Sequence, residues 1–174
     1  MAKPATAKPH QIATRTERPL VAIVISRYNE TVTGALLAGA LRQAEVLLAE
    51  TEIFEAAGAF EILGTAAAAA ATNRFAGILT LGCIIKGETK HDDYLAHAVT
   101  SGLGQLTVAT GVPISLGVLT VNSRAQALAR AGGKHGNKGA EAMAALLSMI
   151  HTCRAIREGK PGPSVGVRPD KLKR

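Results

Sequence analysis

The sequence predicts an α/β domain built on a mainly parallel sheet. Two continuous apolar runs rich in β-branched residues, Leu20-Val-Ala-Ile-Val-Ile-Ser26 and Ile78-Leu-Thr-Leu-Gly-Cys-Ile-Ile85, have the pattern of strands buried on both faces. Segments with helical spacing alternate with them along the chain. The composition agrees: 47% hydrophobic and 19% charged residues are globular proportions. With 3% aromatics and no Trp, the core must be built from Ala, Val, Ile and Leu. A chain of 174 residues accommodates one such domain with a substantial core.

Each element follows in order. Residues 1–18 are polar with two prolines and are expected to form a flexible arm ahead of a domain over 19–157. After the first strand and Arg27-Tyr28-Asn29-Glu30, the recurrence of Leu37, Leu41, Ala44 and Leu48 predicts a helix that buries those residues. Residues 52–57 form a short strand, and the alanine-rich stretch 60–73 a helix suited to close packing or an interface. Beyond the second buried strand, a helix over about 91–109 carries Leu95, Val99, Leu103 and Leu106 on one side. Pro113 opens a strand over 114–120, and a short helix covers about 123–131. The segment from Ala131 to Lys138 is expected as a loop into a last helix with Met143, Leu146, Ile150 and Cys153 aligned. After it, the basic segment 158–174 holds three prolines and is expected to be disordered. In parallel sheets ligands bind beyond the carboxyl ends of the strands. The places to look are therefore after Ser26, Ala57, Ile85 and Thr120.

The net charge of +7 does not make a nucleic-acid protein. Residues 1–18 carry +3 and residues 154–174 carry +5, which leaves −1 on the body between them. A nucleic-acid footprint is a basic face on a folded domain, whereas here the excess sits on two end segments that are expected to be solvated. Cys83 and Cys153 lie in apolar runs without CxxC spacing. They are expected to be reduced and buried, in a cytoplasmic protein. The N-terminal segment lacks a signal-peptide core, and the apolar stretches do not suit a bilayer span, so no membrane partner is expected.

Four clusters could carry chemistry. Gly87-Glu-Thr-Lys-His91 lies between a buried strand and a helix, whose unpaired N–H groups and positive dipole end suit a phosphate. Thr89 adds a hydroxyl, His91 could move a proton beside the phosphate, and Glu88 should point away. A Thr-capped helix with a surface histidine would read the same. Arg130-Ala-Gly-Gly-Lys-His-Gly-Asn-Lys138 brings three cations and three glycines together. Arg130 suits a bidentate phosphate clamp, and Lys138 an anionic ring or carbonyl. It is not a phosphate-binding Walker A loop, because Asn137 separates Gly136 from Lys138. A plain connection between helices would fit it equally well. In Gly58-Ala-Phe-Glu61, a first-turn carboxylate is favoured by the dipole and could accept bonds from ligand hydroxyls. The commoner arrangement has Phe60 in the core. After the first strand, Tyr28 could stack on a planar ring and Asn29 could read its polar edge, although such a pair usually marks only a loop. His91 and His97 diverge by about 240° on a helix, so no metal site is expected with Asp92 and Asp93.

Together these segments resemble the lumazine synthase family. Arg27-Tyr-Asn29 is similar to its Arg-Phe-Asn signature, and Gly58-Ala-Phe-Glu-Ile62 matches its Gly-Ala-Phe-Glu-Ile. Leu81-Gly-Cys-Ile-Ile-Lys-Gly-Glu-Thr-Lys-His91 and Arg130-Ala-Gly-Gly-Lys-His-Gly-Asn-Lys-Gly139 resemble its two further motifs. Four motifs in order over residues 20 to 155 are specific where any one is weak. The resemblance implies a three-layer flavodoxin-like sandwich with a mainly parallel four-stranded sheet. It also implies condensation of 5-amino-6-ribitylaminopyrimidinedione with 3,4-dihydroxy-2-butanone 4-phosphate, with no metal or cofactor. A lumazine- or flavin-binding protein of the same fold with weak catalysis is the alternative.

The roles it implies are residue by residue. Tyr28 would stack on the pyrimidine, and Asn29, Ala59, Phe60 and Glu61 would line the pyrimidine and ribityl site. Cys83, Ile84 and Ile85 would offer backbone contacts. Glu88, Thr89 and Arg130 would hold phosphate, His91 would transfer protons, and Lys138 would contact the pyrimidine side. Ala57, Asp92 and Val121-Asn-Ser123 depart from the family pattern. Leu116 stands where many members present a Phe to the neighbouring subunit's pyrimidine, and it could contribute backbone bonds there. The resemblance also implies a homopentamer or an assembly of pentamers with sites between adjacent subunits. We expect Tyr28 and Glu61 on one chain, faced by Arg130 and His91 of the next.

Overall fold

Side chains alternate across a strand, and here the alternation sorts the apolar runs into two cores. Val21, Ile23 and Ile25 of β1 (Leu20–Ser26) and Leu79, Leu81 and Cys83 of β3 (Gly77–Ile85) enter one cluster. Ala22 and Val24 of β1 and Ile78 and Ile84 of β3 enter the other. Apart from Ser26 and Thr80, both strands lack polar side chains, because helices cover both sides of the sheet. The computed structural model describes residues 18–161. The arm expected over 1–18 and the tail over 158–174 lie outside these residues, apart from Arg18 and residues 158–161.

The remaining elements are α1 (Glu30–Val46), β2 (Glu50–Ala56), α2 (Glu61–Ala71), α3 (His91–Thr110), β4 (Ile114–Val121), α4 (Arg124–Arg130), β5 (Ala131–Gly133), β6 (Gly136–Asn137) and α5 (Lys138–Arg157). The four long strands pair in parallel in the order β2-β1-β3-β4. Helices α1, α4 and α5 cover one face, and α2 and α3 the other. This is the three-layer α/β sandwich expected, with all four strands parallel. Strand order reverses between β1 and β3, so their carboxyl ends diverge into a crevice.

Three local expectations are corrected. The buried stripe of α1 is Val32, Leu36, Ala40 and Ala44; Leu37 and Leu41 are only partly buried. Leu48 lies beyond the helix, exposed, with φ at 57°. The helix is apolar nearly all round, and its contact with α5 selects the side bearing Gly39. The glycine-rich segment after Arg130 is not a plain loop. Ala131 pairs with Asn137 and Gly133 with Gly136, with Gly132 and Gly136 at positive φ. Cys153 is half-buried, while Cys83 is buried.

The join between α1 and α5 is unusually close. Asn137 caps α5 by accepting from Gly139 N (2.9 Å) and Ala140 N (3.1 Å), while its amide donates to Ala35 O at 2.8 Å. A Cβ on Gly39 would overlap that carboxamide. The Gly-Asn-Lys-Gly run is therefore first a clamp between two helices.

Candidate active site

The crevice is built where three strands end. Past Ser26 the chain turns, with Tyr28 N donating to Ser26 Oγ (3.2 Å) and Arg27 N to Ala56 O (2.9 Å). Tyr28 is left 72% exposed beside the opening. Asn29 adopts the left-handed conformation (φ 61°), which Asn tolerates better than most residues, and its amide donates to Cys83 O at 2.8 Å. Beyond β2, Gly58 leads into α2, and Glu61 occupies its first turn, where the dipole favours a carboxylate. A Cβ on Gly58 would come within 2.8 Å of Glu61 Oε2, so the carboxylate folds back over that glycine. Phe60 is 58% exposed rather than in the core. Its ring is available to a ligand.

These ends enclose a cavity of about 670 Å³, within the range of small-molecule sites. Of the residues expected at a site, Tyr28, Asn29, Ala59, Phe60, Glu61, Cys83, Ile84, Ile85, Thr89 and His91 line it. Residues from beyond β1, β2 and β3 contribute, as expected. The end of β4 does not, because β4 is an outer strand on the far side of β3 from the crevice. There Asn122 N is bonded to Gln126 Oε1 and Ser123 caps α4.

The start of α3 forms one wall. His91 is its first residue, and Thr89 Oγ1 accepts from His91 N at 3.4 Å, a long and weak contact. This is not a firm Thr cap, and the hydroxyl is left available at the cavity. Asp92 and Asp93 also sit in this first turn. Asp92, which departs from the family pattern, lines the cavity as well, and so does Leu95, which also packs against the core beneath α3. Leu95 lies four residues from His91, and that helical spacing was the signal for it.

Glu88, Leu116, Arg130 and Lys138 are not brought to this cavity within one chain. Glu88 is exposed beside the lining residues Gly87 and Thr89. Leu116 is 47% exposed on β4. Arg130 donates through Nη1 to Gln126 O at 3.2 Å, and Lys138 pairs with Glu141. One expectation is overturned: His91 shares the cavity of Tyr28 and Glu61, and does not face them from a second subunit. The loop after β3 returns to β1 and β2 within the same crevice, which the linear sequence could not show.

Burial pushes the Cys83 thiol up from 9.0 to about 11. It therefore stays protonated at neutral pH and is not a ready nucleophile. Iodoacetamide at pH 8 is expected to label Cys153 well before Cys83; peptide mapping that found Cys83 labelled first would contradict this. Because the fold raises this pKa, the associated stability is intact below pH 9 and is lost as pH rises towards 11.

The family described as 6,7-dimethyl-8-ribityllumazine synthase matches residues 19–154, which span the sheet and every helix up to most of α5. A protein of Buchnera aphidicola subsp. Baizongia pistaciae (strain Bp), named 6,7-dimethyl-8-ribityllumazine synthase, is 39% identical over 153 residues. That similarity covers 86% of this chain and 96% of the relative. A likeness this long takes in all three strand ends that make the crevice, and this chain belongs to the 6,7-dimethyl-8-ribityllumazine synthase family.

Proposed function

We propose that the chain condenses 5-amino-6-ribitylaminopyrimidinedione with 3,4-dihydroxy-2-butanone 4-phosphate, releasing phosphate and water, to form 6,7-dimethyl-8-ribityllumazine for riboflavin synthesis. We propose that it does so in the cytoplasm, as a homopentamer or an assembly of pentamers. The observation that carries the reading is a single cavity with two chemically different walls. Tyr28, Phe60 and Glu61 form an aromatic and acceptor wall, and Thr89 and His91 stand at the start of α3.

On this reading Tyr28 and Phe60 flank the planar ring, and Glu61 accepts from ribityl hydroxyls. The polar groups of Ile84 and Ile85 meet the pyrimidine at the strand end. Gly87 and Thr89 hold the phosphate at the helix start, with Glu88 contributing through its backbone. The substrate amine attacks the ketone and water leaves to give an imine. Phosphate is then eliminated, and attack by the ribityl-bearing nitrogen closes the ring with loss of a second water. On the same reading His91 hands protons to and from these departing groups. Arg130, Lys138 and Leu116 complete the site from an adjacent subunit, Arg130 on the phosphate and Lys138 on the pyrimidine.

The test is direct: the two substrates are mixed with the protein and formation of the fluorescent lumazine is followed. Ligand binding without turnover would instead favour the lumazine- or flavin-binding alternative. His91→Ala is expected to lower kcat by about 10²-fold, the low end for a positioned acid–base group. Alignment of the substrates supplies much of the rate, so pyrimidine affinity should change little. Unchanged kcat across the pH range would remove His91 from the mechanism.

A further inference from the structure

The Asn29 side chain is used in an uncommon way. An Asn at a helix start ordinarily turns its side-chain oxygen onto the first N–H groups of that helix. Asn137 does this for α5. Asn29 stands in the same position before α1 but makes no side-chain cap. Its backbone carbonyl accepts from Val32 N (2.8 Å) and Thr33 N (3.1 Å), and its carboxamide is sent across the cavity floor to Cys83 O, 54 residues away.

The acceptor it reaches lies where the sheet runs out. The β1–β3 ladder ends at Ile25 and Leu81, while β3 continues to Ile85 paired only with β4. On the crevice side, the stretch from Cys83 to Ile85 has thus lost its neighbouring strand, and Asn29 supplies a donor in its place. A carbonyl oxygen cannot accept from another carbonyl oxygen, so the NH2 end of the carboxamide must face Cys83. The oxygen Oδ1 is then left as an acceptor with no partner among the described residues, on a side chain that lines the cavity.

We propose that Asn29 is a positioning residue: it latches the Cys83 carbonyl and so holds the strand end Cys83–Ile85 in register for the pyrimidine. This rests on the functional reading above. The latch acts on the pyrimidine wall and not on the start of α3, so its loss separates the two substrates.

Two variants of the assembled, full-length protein test it. Asn29→Asp keeps the size of the side chain but cannot donate, and places a carboxylate against the carbonyl. Asn29→Gly keeps the left-handed backbone without strain and deletes the carboxamide. Calorimetric titration with 5-amino-6-ribitylaminopyrimidinedione alone, and steady-state KM values for both substrates, are measured beside the wild type. Both variants are expected to bind the pyrimidine at least about tenfold more weakly, with KM for the butanone phosphate within about twofold of wild type. Equal losses for both substrates in Asn29→Gly would reduce Asn29 to a general fold role and overturn the proposal. So would pyrimidine binding in that variant within about twofold of wild type. Wild-type protein that neither binds the pyrimidine nor turns over would instead overturn the functional reading on which the latch depends.

Discussion

Gly139→Ala is expected to destabilise the protein by about 3 kcal/mol or more, at the upper end for overpacking. The added Cβ would lie 2.7 Å from the carbonyl carbon of Leu36, and closer still to its oxygen. Those are backbone atoms of α1, so no side-chain rotation relieves the overlap; α1 and α5 must separate. Separation would also break the Asn137–Ala35 hydrogen bond and open the core around Leu36, Met143 and Leu146. Gly34→Ala is the control. Gly34 lies on α1 with nothing within 4 Å of the new Cβ, and replacing a helical glycine should add up to about 1 kcal/mol. Urea midpoints at unchanged slope distinguish the two. A Gly139→Ala midpoint equal to wild type would show that the helices are not held by this contact.

Subunits that are each strongly impaired are expected to restore activity when mixed. Arg130 does not line the cavity that holds Tyr28 and His91, and we have proposed that a neighbour supplies it. A Tyr28→Ala/His91→Ala chain has a ruined cavity and an intact Arg130; an Arg130→Ala chain has the reverse. The second variant should lose the butanone phosphate selectively, by a factor of about 10 to 100, the loss of a charge-assisted bidentate contact. In a closed ring assembled from equal amounts of both, about a quarter of the interfaces would join two intact halves. Recovery towards that fraction after dissociation and reassembly is the expected result. Mixtures that stay at parental activity, under conditions where wild-type subunits reassemble, would place Arg130 outside the site.

The same clamp and cavity show what could be read from residues in order. β1 and β3 were legible because a strand covered on both sides needs apolar side chains in both directions, and few other structures do. α3 was legible because Leu95, Val99, Leu103 and Leu106 stand against polar neighbours. α1 was not: leucine and alanine occur round most of its circumference, so two stripes had equal claim. Packing against α5 settled the matter in favour of the side where Gly39 makes room for the Asn137 carboxamide and Gly139 meets the Leu36 backbone. β5 and β6 carried no strand pattern, since backbone pairing with glycines at positive φ makes them rather than side-chain burial.

The sequence by itself determined the α/β class, the places where strands end, and most of the residue types at the cavity, because periodicity and short motifs are local properties. Tertiary structure alone decided which of those places meet. The reversal of strand order at β1 and β3 collects three strand ends and leaves out that of β4. It puts His91 in the same cavity as Tyr28 and Glu61, and leaves Arg130 and Lys138 outside it. It also turns Asn29 from a loop residue into the donor for Cys83. Such pairings join residues far apart in the chain, and their energy depends on strand order and register, which no local spacing encodes.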